Sequence, residues 1–411
     1  MDISIHKFGG ASVKNAEEVR NVANILKSST SGNPCIVVVS AMGKTTNKLE
    51  KVWAEENAVK AGLELEKIAA SHISVANSLE LGTEFTEELW DLFELDTSSD
   101  LDAKYDATVA LGELASTRIL AEYLKVCGFN ACWWDVRNTI KTDARHRVAR
   151  VSENEMHANG TDMMSLFNNH SIVVTQGFIG SSPNGSTTTL GREGSDYSAA
   201  LLACASDAKE VNIWKDVQGM HNADPRIFEG TVTIEKLDYS EALELSYYGA
   251  SVIHPRTVKP LQNRNIPLYV KSFVNPEGPF TCIGDFQELE VNTPMYISRS
   301  NTTCLSLGPS DHSFVGEDHL ETVFGALSRC GIHVRMMQNS AVQFDLVFDT
   351  DEKKQSRLKD LLGDDFLIKV ESGLELLTVR HGNEALVEKL SGGKKMLMEQ
   401  TNAPTIRRLL S

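Results

Sequence analysis

A chain of 411 residues is too long for one compact core and is expected to form two or three domains. Its 41% apolar and 23% charged residues are those of an ordinary globular protein, and no run approaches the ~18 apolar residues that a membrane span needs. The net charge of −16 argues against nucleic acid or an anionic membrane as the main partner, so an anionic substrate has to be met by a few locally gathered lysines and arginines.

Residues 3–8 read as a strand, and Val19, Val22, Ala23 and Leu26 fall on one face of a helix over 15–27. Cys35–Val39, behind Asn33-Pro34, is an unbroken apolar run, as in a strand buried on both faces. A largely helical, polar stretch follows over 46–101, then a helix carrying Leu114, Arg118 and Tyr123 that stops near Gly128. Strands recur at 131–136, 171–176, 210–215 and 266–272. Such alternation predicts an α/β fold with a mostly parallel sheet between helices. Asn275-Pro276-Glu277-Gly278-Pro279 reads as a linker, after which the rhythm changes. A strand at 303–307, a helix at 319–329, strands at 333–337 and 342–349, a helix at 352–362 and a strand at 366–370 make a ferredoxin-like βαββαβ unit. What remains holds a strand at 374–380, a helix at 384–390 and a strand at 395–399, too little for a second complete unit.

Four segments carry chemistry. Lys7-Phe8-Gly9-Gly10 leaves the first strand for a helix; glycines there let backbone N–H groups approach an anion, and a lysine adds its ammonium. The loop Ser40-Ala41-Met42-Gly43-Lys44-Thr45-Thr46 follows the second strand. It mimics the end of a P-loop, but Val38 stands where that motif needs glycine. Ser40 and Thr46 offer hydroxyls at the carboxyl end of a strand, where such sheets bind ligands, and Thr46 equally suits the start of the next helix. In Leu190-Gly191-Arg192-Glu193-Gly194-Ser195-Asp196 two glycines bracket an arginine whose fork suits a carboxylate. Ser195 reads as the cap of the following helix and Asp196 is favoured by its dipole, with or without a function. Trp214-Lys215-Asp216-Val217-Gln218-Gly219 through Asp224-Pro225-Arg226 gathers cations after another buried strand, which suits a nucleotide. Seven scattered cysteines without CxxC spacing favour reduced thiols over disulfides or a zinc site, and the first seven residues lack a signal-peptide pattern, so the cytoplasm is the expected compartment.

Taken in order with Gly249-Ala250-Ser251-Val252-Ile253-His254-Pro255, these segments resemble the aspartate kinases of the amino-acid-kinase superfamily. The resemblance implies a three-layer α/β catalytic domain over 1–275, a linker over 276–296, an ACT-like regulatory domain over 297–370 and an abbreviated second ACT-like segment over 371–411. It implies ATP-dependent phosphorylation of the side-chain carboxylate of L-aspartate, the first step toward lysine, threonine and methionine, with Mg²⁺ accompanying ATP. Lys7 would contact the transferring phosphoryl group and Gly9 and Gly10 would cradle it. Ser40, Thr46, Glu113 and Arg192 would hold aspartate, Asp196 would orient Lys7, and Lys215, Asp216 and Arg226 would hold the nucleotide. No protein-held metal is implied. ACT units pair between chains, so the resemblance implies a homodimer, with lysine or threonine bound near Asn339 and Ser340.

Ala11 and Lys215 stand where relatives usually carry threonine, and Ser251 where many carry a lysine that reaches the nucleotide. Two other readings stay open. One is a related kinase acting on glutamate, N-acetylglutamate or a nucleotide; the other is a weakly catalytic amino-acid sensor.

Overall fold

The computed structural model describes residues 2–30, 32–94, 100–250, 252–286 and 293–411. The chain forms two units: Met1–His221, Thr233–Ser246 and Ser251–Leu289 make the first, and Asn222–Val232, Tyr247–Ala250 and Glu290–Ser411 the second. Elements run β1 (Ser4–Phe8), α1 (Ala16–Thr30), β2 (Cys35–Val39), α2 (Thr45–Ala54), α3 (Ala58–Ser78), α4 (Thr83–Asp91) and α5 (Leu101–Val126). Next come β3 (Ala131–Trp134), α6 (Glu153–Ser165), β4 (Ile172–Gln176), the hairpin β5 (Ile179–Ser181) and β6 (Thr187–Thr189), α7 (Gly194–Ala205) and β7 (Glu210–Lys215). β8 (Lys236–Asp238), α8 (Tyr239–Tyr248), α9 (Pro255–Arg264), β9 (Leu268–Ser272) and β10 (Thr281–Gly284) follow.

The large sheet has the order β3-β4-β2-β1-β7-β9-β10-β8, parallel throughout except for the antiparallel pair β9–β10. Its central strands are apolar on both faces because helices cover both. Phe8, Val37, Val39 and Trp214 pack with Val22 and Leu26 of α1 and Ile119 and Leu120 of α5. Strand alternation turns Lys7 away from that core, toward α7, which packs on β1, β2 and β7. The chain leaves β1 for β2 on one side and later returns beside it as β7. This reversal opens a crevice at the carboxyl ends of the strands, the usual ligand site of an open α/β sheet. β10 lies inside the stretch read as linker, 276–296, and pairs in register with β8 and β9.

The second unit is a six-stranded antiparallel sheet of order β12-β13-β11-β14-β16-β15. It comprises β11 (Met295–Pro309), α10 (Glu317–Cys330), β12 (Val334–Asn339), β13 (Phe344–Asp349), α11 (Glu352–Leu362), β14 (Phe366–Arg380), α12 (Glu384–Ser391), β15 (Met396–Asn402) and β16 (Thr405–Leu410). α10 and α11 cover one half through Val323, Leu327, Leu358 and Leu362, packed on Leu305, Leu346 and Phe348. The sequence suggests two strands at 366–370 and 374–380; they form one 15-residue strand. Gly373 (φ +78) and, on the facing strand, Asn301 (φ +57) sit at the register shift around Thr302, so the apparent break is a bulge where the sheet passes from one half to the other. The second half adds one helix, α12, and the hairpin β15–β16.

Candidate active site

Lys7 is the last residue but one of the central strand β1 and is 7% exposed. Its Nζ lies 2.6 Å from Oδ1 of Asp196, while Nζ of Lys215, at the end of β7, lies 3.1 Å from Oδ2. Asp196 is fully buried in the first turn of α7. Burial alone would push its carboxyl up, but the two ammonium groups outweigh that and hold it below the usual carboxylate range. Two lysines around one carboxylate leave a net positive charge at the end of the crevice. The start of α7 is fixed by close packing. A Cβ on Gly177 would fall 2.6 Å from Cβ of Ser195, and the Phe178 N–H donates to Oγ of Ser198 at 2.9 Å. The helix begins at Gly194 behind a left-handed Glu193, so Ser195 lies in its first turn instead of capping it.

Across from Asp196, α5 presses against the loop after β2. Gly112 makes this possible, since a Cβ there would meet that of Ala41 at 2.7 Å. Oγ of Ser116 donates to the Ser40 carbonyl at 2.9 Å. Glu113 is thereby buried at 3% exposure. Desolvation pushes its carboxyl up to about 8 even though Ala41 donates a backbone hydrogen bond and Lys7 lies nearby. Gly10 serves the same packing: a Cβ would come within 2.5 Å of the Ala41 carbonyl. Its neighbour Gly9 lies against the Lys7 ammonium, with the corresponding distance 3.6 Å.

A cleft of about 500 Å³ joins these groups, and Lys7, Ser40, Thr46, Glu113, Arg192 and Asp196 all line it. Arg192 is exposed and makes no ion pair among the described residues. The other expected residues stand elsewhere. Asp216 is exposed just beyond β7. Arg226 belongs to the second unit, where its guanidinium lies 2.7 Å from Asp224. Ser251 lies outside the described residues. In the second unit, Asn339 ends β12 and Ser340 starts the exposed turn to β13, its N–H donating to the Gln343 carbonyl at 2.7 Å. Among the described residues no group of three His, Cys, Asp or Glu could hold a metal ion, and no helix is long and apolar enough to cross a membrane.

The cleft wall also holds residues that were given no role from the sequence: Glu50, Tyr105, Arg147 and Phe178. Tyr105 donates to Oε1 of Glu50 at 2.7 Å. Arg147 (φ +67), Phe178 (φ +72) and Glu193 (φ +55) are left-handed and not glycine, and all three line the cleft. Such strain gathers where a site is built, but it leaves no mark on sequence periodicity.

Residues 2–272 match the sequence profile described as "Amino acid kinase family". The chain is 34% identical over 365 residues to lysine-sensitive aspartokinase 3 of Escherichia coli, covering 85% of this chain and 79% of that protein. It is 29% identical over 395 residues to bifunctional aspartokinase/homoserine dehydrogenase 2 of Arabidopsis thaliana, covering 90% of this chain but only 42% of that longer protein. Among solved structures it superposes on E. coli aspartokinase III in complex with lysine and aspartate (TM-score 0.82, 29% identity) and with aspartate and ADP (TM-score 0.80, 30% identity). Both superpositions cover 100% of this chain and 96% of the other. With the profile, the curated relatives and the whole-chain superposition in agreement, the chain belongs to the aspartokinases of the amino acid kinase family.

Proposed function

We propose that the chain transfers the γ-phosphoryl group of MgATP to the side-chain carboxylate of L-aspartate, forming 4-phospho-L-aspartate and ADP. The observation that carries this reading is the Lys7–Asp196–Lys215 cluster at one end of a cleft that also holds Glu113 and Arg192. The acceptor carboxylate, with a reference pKa near ~4, is ionised at neutral pH and needs no general base. Catalysis then consists of bringing two anions together and stabilising spread charge. Lys7 meets the transferring phosphoryl group; Asp196 holds that ammonium in place; Lys215 supplies the second positive charge. Glu113 takes the substrate ammonium, Arg192 its α-carboxylate, and Ser40 and Thr46 hydrogen-bond the remainder. Gly9 and Gly10 offer backbone, and Asp216 serves the nucleotide. Mg²⁺ arrives as part of MgATP, its ligands mostly phosphate oxygens.

Residues 1–275 would be the catalytic domain, and 297–370 with 371–411 the regulatory region, assembled as a homodimer. Since one solved relative carries lysine, lysine is the first effector to test here, with threonine second, near Asn339 and Ser340. The seven unpaired cysteines suit a reducing compartment such as the cytoplasm. Trapping aspartyl phosphate with hydroxylamine is the direct test. ATP-dependent hydroxamate from aspartate but not from glutamate is expected; its absence at millimolar aspartate would sink the assignment.

A further inference from the structure

Arg147 lines the same cleft as Arg192 and Glu113, on a loop with no recognised motif. Its φ of +67 is a conformation that a residue with a Cβ adopts only when its surroundings impose it. Asp106, fully buried on α5, imposes it. The Asp106 carboxylate accepts the Arg147 N–H at 3.0 and 3.1 Å and Oγ1 of Thr189 at 2.6 Å, and Nδ1 of His146 lies 2.8 Å away. The guanidinium is fixed as well. It sits 4.6 Å from the Trp53 ring centroid and 4.4 Å from that of Tyr105, with Nε 2.7 Å from Oδ1 of Asp102. That pair is 40% and 60% exposed, and an exposed ion pair stabilises too little to account for a strained backbone and a buried carboxylate. The loop also touches the one that carries Arg192. A Cβ on Gly191 would fall 3.3 Å from the Arg147 carbonyl, and the Ala149 N–H donates to the Thr189 carbonyl at 2.9 Å.

We propose that Arg147 is a second carboxylate-binding residue of the amino-acid subsite, receiving the substrate's α-carboxylate together with Arg192, and that Asp106 is its positioning residue. The proposal rests on the reading of this cleft as the aspartate site. The contact between the two loops places Arg147 with Arg192 and not with the Lys7–Asp196–Lys215 end. Contact with the Trp53 and Tyr105 rings holds the guanidinium without consuming all its N–H groups, so the fork stays able to meet a carboxylate.

Arg147→Gly is the informative variant, because glycine takes the left-handed backbone freely and the loop keeps its course. Aspartate KM should rise about tenfold or more, as for loss of a charged hydrogen bond, with ATP KM within about threefold and Tm unchanged or higher. β-Alanine, which keeps the ammonium and the reacting carboxylate but lacks the α-carboxylate, should inhibit wild type and variant equally. Asp106→Asn should raise aspartate KM in the wild-type background and add nothing to Arg147→Gly. An aspartate KM within twofold of wild type, or an equal loss for aspartate and β-alanine, would overturn the role given to Arg147. Should Arg147→Gly fail to fold, Arg147→Gln provides the same comparison. If the wild-type chain makes no aspartyl phosphate, the reading of the cleft fails first and this proposal with it.

Discussion

A carboxyl group 3% exposed, with one oxygen lacking any hydrogen-bond partner, is neutral up to about pH 8 in the ligand-free chain; this is the state of Glu113. A substrate ammonium needs the charged form. Aspartate KM should therefore fall about tenfold per pH unit from pH 6 to 8 and level off above, and Glu113→Gln should raise KM and flatten the profile. Stability runs the other way. The folded pKa lies above the unfolded one near 4.5, so the folded state binds more protons between them, and this group's contribution is lost as pH rises through about 8. The Tm of wild type minus that of Glu113→Gln should decrease from pH 5 to 9 without ligand; a constant difference would show that Glu113 is charged throughout. Charge counting gives a second prediction. Without Lys7 the cluster is one lysine and one buried carboxylate, with no net positive charge left for a phosphoryl group. Lys7→Ala should lower kcat about 10²-fold with a smaller change in aspartate KM, as when a donor to the transition state is removed. A kcat within a few-fold of wild type would mean that Lys215 carries the charge alone. Lys7, Arg192 and Asp196 were legible because glycines mark their loops. Glu113 had only its resemblance to a family motif, since a glutamate inside a helix looks solvated. Arg147 had no signal: what fixes it is Asp106, 41 residues away on α5.

Elements made of continuous apolar runs were readable to within a residue or two, Cys35–Val39 and Glu210–Lys215 among them. β16 was not, because its sequence Thr-Ile-Arg-Arg-Leu-Leu carries two arginines at its centre. Both are buried. Arg407 lies 5.0 Å from the Tyr248 ring centroid, and Arg408 is paired with Glu384, Glu388 and Glu399 from α12 and β15. Charge that is neutralised by distant elements reads as solvated surface in a local window. β10 was hidden for another reason, being four residues behind a Pro/Gly-rich turn. The junction of β4 with α7 allows a prediction about an element as a rigid body. Gly177→Ala puts a methyl group 2.6 Å from Cβ and 2.7 Å from Cα of Ser195, and Ser195 cannot retreat without moving α7 and Asp196 with it. Overpacking of this kind destabilises by about 1–3 kcal/mol. The Tm should fall, and kcat should fall beyond what the unfolded fraction explains. An unchanged kcat at a lowered Tm would show that the position of Asp196 is decoupled from the start of α7.

At the scale of the molecule, a chain with net charge −16 concentrates four cationic side chains, Lys7, Arg147, Arg192 and Lys215, at one cleft of its first unit. The second unit has the features of an assembly surface. Among the described strands β12 pairs with β13 alone, and Met337 on it is 49% exposed. An edge strand with an exposed apolar side chain invites a second strand, and a copy of the same edge is a self-complementary one. The chain should therefore run at twice its 45.2 kDa mass in light scattering at micromolar concentration. If an end product bound beside this edge lowers aspartate affinity, aspartate by reciprocity lowers end-product affinity by the same factor. Lysine at millimolar concentration should raise aspartate KM about 5- to 150-fold, the range of ordinary allosteric coupling, and saturating aspartate should weaken lysine binding by the same factor. A charge introduced at the edge, Met337→Glu, should give monomers and remove the inhibition while leaving lysine-free kcat near wild type. Inhibition that persists in a monomeric Met337→Glu would place the effector site within one chain; a wild-type monomer indifferent to lysine, threonine and methionine would mean that the second unit senses none of them.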